Sequence, residues 1–432
     1  MRIFIFHYHL NPGGVTRIIQ SQVKSLKIVM PDTPVSVVCG FSPDSNFFGD
    51  DAELIVNKKL NYLSNDDLSK EHLEAEYQKI YSFFVETFSK QDILHLHNIN
   101  LGKNPLVTLA AYKLALQGYK IVNHAHDFAE DRPENWGFYK LILHDVFGYD
   151  VLDVLYPSLK NYTVCAINLS DLNRLNEYNF NCEAKYLVPN PVDLTAVDTG
   201  NSSLSRKKII GQLGIGEDKK IITYPVRVIK RKNIGELILL AVLFRDKANF
   251  LVTLPPKNPV EVERYKAWKS FCKENNIKIY FEVGDKLNFE DIILGSDFCI
   301  TTSYKEGFGM VYMEPWLMGT PVIGREIPFI IEELKESNIK FPNLYEEFMV
   351  NYEGEIKDFK DFDVALQKKI IKEALDSPQY CSELLEMNPE IKEILTEIPD
   401  NIINHNKKII SETYSLEKFG ERIYGVYQKF IS

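Results

Sequence analysis

Two carboxylates eight residues apart, Glu306 and Glu314, flank a glycine-bearing loop in the stretch Thr301–Gly324, TTSYKEGFGMVYMEPWLMGTPVIG. An apolar strand ends at Thr301–Thr302, and a helix over Met310–Met318 is expected to begin near Gly309. Backbone N–H groups at such a helix start, beyond the strand ends, suit an anion or sugar oxygens. Glu306 on the loop can grip sugar hydroxyls, while Glu314, inside the helix, reaches another part of the same ligand. Pro315 removes a helical N–H and leaves the Val311 carbonyl without its usual partner. Alone, the pair could equally be surface glutamates beside a glycine loop. A second stretch, Tyr224–Gly235, YPVRVIKRKNIG, places Arg227 just past a strand and Lys232 five residues on, before a helix. Two cations at that turn could neutralise a pyrophosphate and stabilise a departing nucleoside diphosphate. The plainer alternative is a solvated basic loop, Lys230-Arg231-Lys232.

Six of the nine histidines form His-x-His pairs: His7/His9, His95/His97 and His124/His126. Each pair ends an expected strand, and a period of two puts its members on one face, so all three could line one edge. Two such pairs could bind zinc, as His-x-His does in some hydrolases. Against that, the cationic turn already supplies leaving-group stabilisation and the chain lacks a barrel organisation. The adopted reading has no metal: some imidazoles hydrogen-bond a ligand and others are buried and satisfied.

These residues need elements to hold them. Arg2–Phe6 reads as a strand, the loop after it ends in Gly13-Gly14, and Val15, Ile18, Ile19, Val23 and Leu26 fall at helical spacing. Further strands are expected at Val35–Val38, Ile93–Leu96, Lys120–Val122, Thr163–Ile167 and Lys185–Val188, with a helix at Pro105–Leu116. Leu194–Lys208 reads as a linker. A second alternation follows, with strands at Lys220–Tyr224, Phe250–Leu254, Lys278–Val283, Phe298–Thr301 and Pro321–Ile323. Helices are expected at Ile234–Phe244 and Val260–Glu274. Residues 326–400 read as mostly helical, and Leu416–Ile431 as an amphipathic helix. Alternating strands and helices imply an α/β architecture of two doubly wound Rossmann-like domains.

The chain has 432 residues, 45% hydrophobic and 25% charged, enough for two cores without a staple. A formal net charge of -10 argues against nucleic-acid binding, which needs a basic face, and favours no anionic lipid surface. Cys39, Cys165, Cys182, Cys272, Cys299 and Cys381 form no C-x-x-C pair, which fits a reducing compartment rather than a disulfide framework or a zinc knuckle. The N-terminus turns polar too soon for a signal peptide, and no apolar run approaches a membrane span. A cytoplasmic protein is expected, and the sequons at Asn161, Asn168 and Asn201 carry little weight.

The spacing E-G-F-G-x4-E, followed by G-T-P-V-I-G, resembles the signature of the retaining glycosyltransferase family 4, whose architecture is GT-B, two Rossmann-like domains facing a cleft. The Arg-x4-Lys turn of that family is matched by Arg227 and Lys232, and its Gly-Gly turn by Gly13 and Gly14. Val188–Asp193, VPNPVD, matches a V-x-N-G-V-D stretch, with Pro191 departing from the usual glycine. The resemblance covers about residues 2–324 and the last helix. It implies domains at 1–200 (acceptor side) and 201–410 (nucleotide-sugar side), with 411–432 crossing back to the first.

By that resemblance, Glu306 binds donor-sugar hydroxyls, Glu314 the ribose, and Arg227 and Lys232 the diphosphate. Backbone groups of Phe308, Gly309 and Met310 cradle sugar oxygens, and Gly14 lets the first loop approach phosphate or acceptor. His126 matches a histidine near the reacting sugar. In Asp127–Trp136, DFAEDRPENW, Asp127 lies on the acceptor side, Arg132 could meet an acceptor carboxylate or phosphate, and Trp136 could stack on a sugar ring; a plain surface loop is the alternative. Asp361-Phe-Asp363 resembles the metal-binding D-x-D of another glycosyltransferase fold and is read as surface. The implied reaction moves a hexose, glucose or mannose, from a nucleoside-diphosphate sugar to a hydroxyl of a small soluble acceptor. It keeps the anomeric configuration, with no cofactor and no metal. A metal-dependent hydrolase, a GT-B sugar-nucleotide epimerase and a non-catalytic nucleotide-sugar binder are the alternatives.

Overall fold

A computed structural model of the chain describes residues 1–177, 185–193 and 200–431. Cys182 and residues 194–199 of the expected linker lie outside them. The chain divides into two compact units, Met1–Asp193 with Tyr414–Ser432, and Leu194–Thr413.

Unit 1 is a seven-stranded sheet of β1 (Ile3–His7), β2 (Val35–Cys39), β3 (Glu53–Val56), β4 (Ile93–His97), β5 (Lys120–Ala125), β6 (Tyr162–Ala166) and β7 (Lys185–Leu187). The order is β3-β2-β1-β4-β5-β6-β7 and every pairing is parallel. Parallel strands are buried on both faces, which is why they read as unbroken apolar runs. Alternation along β1 separates the two cores: Phe4 and Phe6 join Leu94, Leu96 and Phe84 on one face, while Ile3 and Ile5 join Val37 and Val122 on the other. Phe419, Ile423, Val426 and Tyr427 of the helix Leu416–Ile431 complete that second face, each buried apolar side chain contributing about 2 kcal/mol. A Cβ on Gly420 would come within 2.9 Å of the Ser25 carbonyl oxygen, so glycine is what lets this helix lie against Gly14–Val29.

Unit 2 is a six-stranded parallel sheet of β8 (Lys220–Arg227), β9 (Ala248–Leu254), β10 (Ile279–Tyr280), β11 (Phe298–Thr301), β12 (Val322–Arg325) and β13 (Leu344–Tyr345). Its order is β10-β9-β8-β11-β12-β13. Three expectations need correction. The described part of the linker is helical from Ser202, because the Asn201 side chain accepts from Leu204 N and caps the helix Ser202–Leu213. The strand expected over Lys278–Val283 is two residues long and gives way to a 3-10 turn at Val283–Asp285. Residues 326–400 hold helices, but also β13 and an antiparallel hairpin, Met349–Tyr352 with Glu355–Asp358. No helix among the described residues is long and apolar enough to cross a membrane.

Candidate functional site

In a doubly wound sheet, ligands gather beyond the carboxyl ends of the strands where the strand order reverses. In unit 2 that point lies between β8 and β11, the two strands that lead into the cationic turn and the Glu306 loop. After β8 the chain makes a 3-10 turn, Lys230–Lys232, and Asn233 takes a left-handed φ of 48° before the helix Ile234–Leu243. The hydroxyls of Tyr224 (2.8 Å) and Thr302 (3.0 Å) donate to the Lys232 carbonyl, fixing the turn against β11.

The turn delivers two cations to one carboxylate. The Lys232 ammonium and the Arg231 guanidinium both donate to Glu306, and Arg231 also reaches the Lys305 carbonyl at 2.8 Å. The Glu306 side chain is 9% exposed, Lys232 12% and Arg231 40%. Burial pushes the Glu306 carboxyl up, but the Lys232 and Arg231 cations outweigh it and hold the group below its usual range. Desolvation lowers the Lys232 ammonium, with Glu306 working against it. Arg227 ends β8 on the exposed side and has no ion pair among the described residues. The expected diphosphate cations were Arg227 and Lys232; the structure also brings Arg231, which was not expected, onto Glu306. Its signal in the sequence was the charge run itself, two positions of which turn inward.

The loop beyond Glu306 departs from the expected helix. Gly309 has φ 81°, and a Cβ there would meet Ile330 at 2.8 Å and Tyr312 at 2.9 Å. A 3-10 turn, Met310–Tyr312, follows, and a separate four-residue helix starts at Glu314. Pro315 sits in the first turn of that helix, where a missing N–H costs nothing, so it separates two short turns and does not interrupt a long helix. Phe308 is buried, while Glu306, Met310 and Glu314 are half-buried.

Behind this loop lies a buried ionic cluster that spacing did not reveal. Arg325, 2% exposed, makes paired hydrogen bonds to Glu236 (2.9 and 2.6 Å) and to Asp358 (both 2.7 Å). Tyr345 donates to Glu236 at 2.6 Å, and Asn233 Nδ2 to the other Glu236 oxygen at 2.8 Å. Tyr312 donates to the Arg325 carbonyl at 2.7 Å. The hairpin is tied to the Arg325 guanidinium, the cationic turn to it through Glu236, and the turn after the glycine loop to the Arg325 carbonyl. Asp361 and Asp363 are used locally, in a pair with Lys360 and as the cap of the helix Val364–Asp376.

In unit 1 the strand order reverses between β1 and β4. Gly14 opens the helix Gly14–Val29, with nothing within 4 Å of where its Cβ would stand. The histidines meet across strands. His97 Nδ1 faces His126 Nε2 at 2.8 Å and His95 Nε2 faces His124 Nδ1 at 3.0 Å. His97 Nε2 is 2.7 Å from Gln22 Oε1, and His95 Nδ1 is 2.8 Å from the Tyr427 hydroxyl. Asn98, at φ 56°, accepts from the backbone N–H groups of His126 (2.7 Å) and Asp127 (3.1 Å). Burial lowers these imidazoles, His7 to about 3, His124 to about 4, and His95, His97 and His126 well below their usual value, so they are neutral.

His95, His97 and His124 have nitrogens within 4.8 Å of one another, a spacing that could hold a metal. Yet both nitrogens of His95 and His97 are already hydrogen-bonded, and His97 stacks on His124 with planes 26° apart. The contacts the three rings make are those of mutual hydrogen bonding. Of the expected acceptor-side residues, Arg132 pairs with Asp127 at 2.7 Å, both partly exposed. Trp136 is half-buried against the core, with Lys140 over its ring.

Residues 205–347 match the family described as glycosyl transferases group 1. A mannosylglucosyl-3-phosphoglycerate synthase of Petrotoga mobilis is 28% identical over 98% of this chain and 90% of its own. Among solved structures, the sucrose-phosphate synthase of Thermosynechococcus elongatus superposes with TM-score 0.63 at 14% identity over 100% of this chain and 99% of that one. Anabaena HepE in complex with UDP-glucose superposes with TM-score 0.63 at 14% identity over 99% of both chains.

Proposed function

We propose that this chain, a glycosyltransferase of group 1 with the GT-B fold, carries a hexosyl group from a nucleoside-diphosphate sugar to a hydroxyl of a small anionic acceptor, retaining the anomeric configuration. The observation that carries this reading is the half-hidden carboxylate of Glu306, held by Lys232 and Arg231 where the strand order of unit 2 reverses. In that arrangement Glu306 meets donor-sugar hydroxyls and Glu314 the ribose. Lys232 and Arg231, with the exposed Arg227, supply positive charge to the leaving diphosphate, where charge grows in the transition state. Backbone groups of Phe308 to Met310 hold sugar oxygens. Gly14 leaves room for phosphate or acceptor in unit 1, where His126 meets the sugar. The cations do the work a metal would do, so activity is expected to survive a chelator.

The Petrotoga relative bears a name that describes a mannosylated glucosyl-3-phosphoglycerate. On that ground the donor sugar here is mannose, and the acceptor a glucosyl glycerate carrying a phosphate and a carboxylate. Arg132 would leave Asp127 for one of those anions, and Trp136 would lie along the glucosyl ring. The test combines purified protein with UDP-, GDP- and ADP-linked glucose and mannose, with glucosyl-3-phosphoglycerate, glucosylglycerate or glucose as acceptor. Transfer to the phosphorylated acceptor, with the new linkage in the donor's anomeric configuration, supports the reading. Free sugar or an epimerised donor as the sole product overturns it.

A further inference from the structure

Four histidines of unit 1, His95, His97, His124 and His126, belong to one hydrogen-bonded chain whose polarity can be worked out proton by proton. Gln22, fully buried on the helix Gly14–Val29, directs Nε2 to the Tyr427 hydroxyl at 3.2 Å and Oε1 to His97 Nε2 at 2.7 Å. An amide oxygen only accepts, so His97 carries its proton on Nε2, and its Nδ1 is bare. His126 Nε2, 2.8 Å away, must then be the donor, which leaves His126 Nδ1 as an acceptor. The other branch runs the same way. Tyr427 accepts from Gln22 and gives its single proton to His95 Nδ1, so His95 donates from Nε2 to His124 Nδ1.

At the far end of this branch lies His124 Nε2, a buried atom. With Nδ1 accepting from His95, the single proton of neutral His124 sits on Nε2. Turning the Gln22 amide over would reverse every tautomer, so the direction rests on Gln22 Oε1 facing His97 and Nε2 facing Tyr427.

We infer that Gln22 and Tyr427 are positioning residues that hold His126 in the Nε2–H tautomer, so that its Nδ1 stands ready to accept a hydrogen bond from a sugar hydroxyl. The inference rests on the reading that His126 meets the sugar. It also gives the C-terminal helix a task beyond packing, since Tyr427 anchors the amide from which the polarity starts. A neutral imidazole of fixed tautomer offers one acceptor at one place, whereas a tautomer mixture would present an N–H to the same hydroxyl part of the time.

The test is NMR of the full chain with 15N-labelled histidine, read through long-range proton–nitrogen correlations, with His126 assigned by its loss in His126→Gln. The expected result is Nε2–H for His126, His97, His95 and His124. Gln22→Met, which keeps the volume but removes both polar ends, is expected to mix the His126 tautomers and lower kcat about tenfold, with acceptor KM changed less than kcat. Tyr427→Phe frees the Gln22 amide to turn and should act in the same direction, more weakly. An Nδ1–H proton on His126 in the native protein overturns the inference, as does Gln22→Met with an unmixed tautomer. A variant with mixed tautomers and normal turnover also overturns it, and does so by removing His126 from the reaction while the hydrogen-bond chain stands.

Discussion

Glu306→Gln separates chemistry from architecture because the two substituents have one shape and different charge. The native carboxylate is 9% exposed and faces a Lys232 that is 12% exposed. Removing one partner of a buried pair costs about 3–5 kcal/mol when the other charge is stranded. Three features reduce that figure here. The glutamine still offers Lys232 an acceptor, Arg231 at 40% exposure can turn to water, and desolvation already eases proton loss from Lys232. About 2 kcal/mol is the expected loss, or roughly 4–8 °C in the melting of a unit of this size. The effect on turnover should be far larger. A group that meets the sugar in the transition state is expected to matter by about 10²–10³ in kcat, roughly 3–4 kcal/mol. The assay is initial-rate release of nucleoside diphosphate with saturating acceptor, well below the melting transition of both proteins. A kcat within tenfold of the native value would refute the donor role of Glu306. Loss of activity with loss of native circular dichroism would refute the claim that the residue acts mainly in chemistry. The carboxyl of Glu306 is held below its usual range, so its stabilisation is full above the unfolded value of about 4.3 and fades as pH falls through the folded one. The glutamine variant should lack that part of the acid dependence.

Two further outcomes follow from buried charge. Arg325→Met leaves the buried Glu236 without a cation and Asp358 with Lys360 alone, and should lower chemical-denaturation stability by about 3 kcal/mol; a loss under 1 kcal/mol would show that Glu236 finds another partner. His7 and His124 titrate at about 3 and about 4 in the folded protein, against about 6.5 unfolded, so the unfolded chain binds more protons across that window. Stability should therefore fall by up to about 1.4 kcal/mol per pH unit for each histidine as pH drops from about 6.5. Calorimetry at pH 7.5, 6 and 5 reads this directly, and a flat melting temperature would contradict the buried neutral cluster.

Much of this arrangement was legible in order along the chain. Apolar runs such as Ile93–Leu96 and Phe298–Thr301 marked buried parallel strands, since such strands show no polar face and stand out locally. The helix Leu416–Ile431 has the spacing that the helical period imposes, whereas Pro105–Leu116 is apolar and buried on nearly every side. Weak signals failed where the contacts that decide structure are distant. The edge strand β3 is half-exposed and carries no strong run, and the hairpin at Met349–Asp358 is anchored by Arg325, some thirty residues away in sequence. Pro315 misled because a proline is ruinous inside a helix and harmless in its first turn, and spacing alone does not say which.

Local chemistry was enough to put Glu306 and Lys232 in loops just past strands and Glu314 in a helix, because strand, loop and helix boundaries are set by neighbours a few residues apart. Tertiary packing brought Arg231 onto Glu306 beside Lys232, since that contact depends on how a left-handed Asn233 and the hydroxyls of Tyr224 and Thr302 turn the segment. It likewise joined six scattered residues, His126, His97, Gln22, Tyr427, His95 and His124, into one line of protons. A tautomer belongs to no residue's own chemistry, because both ring protons are nearly equal in energy until a neighbour distant in sequence accepts one of them.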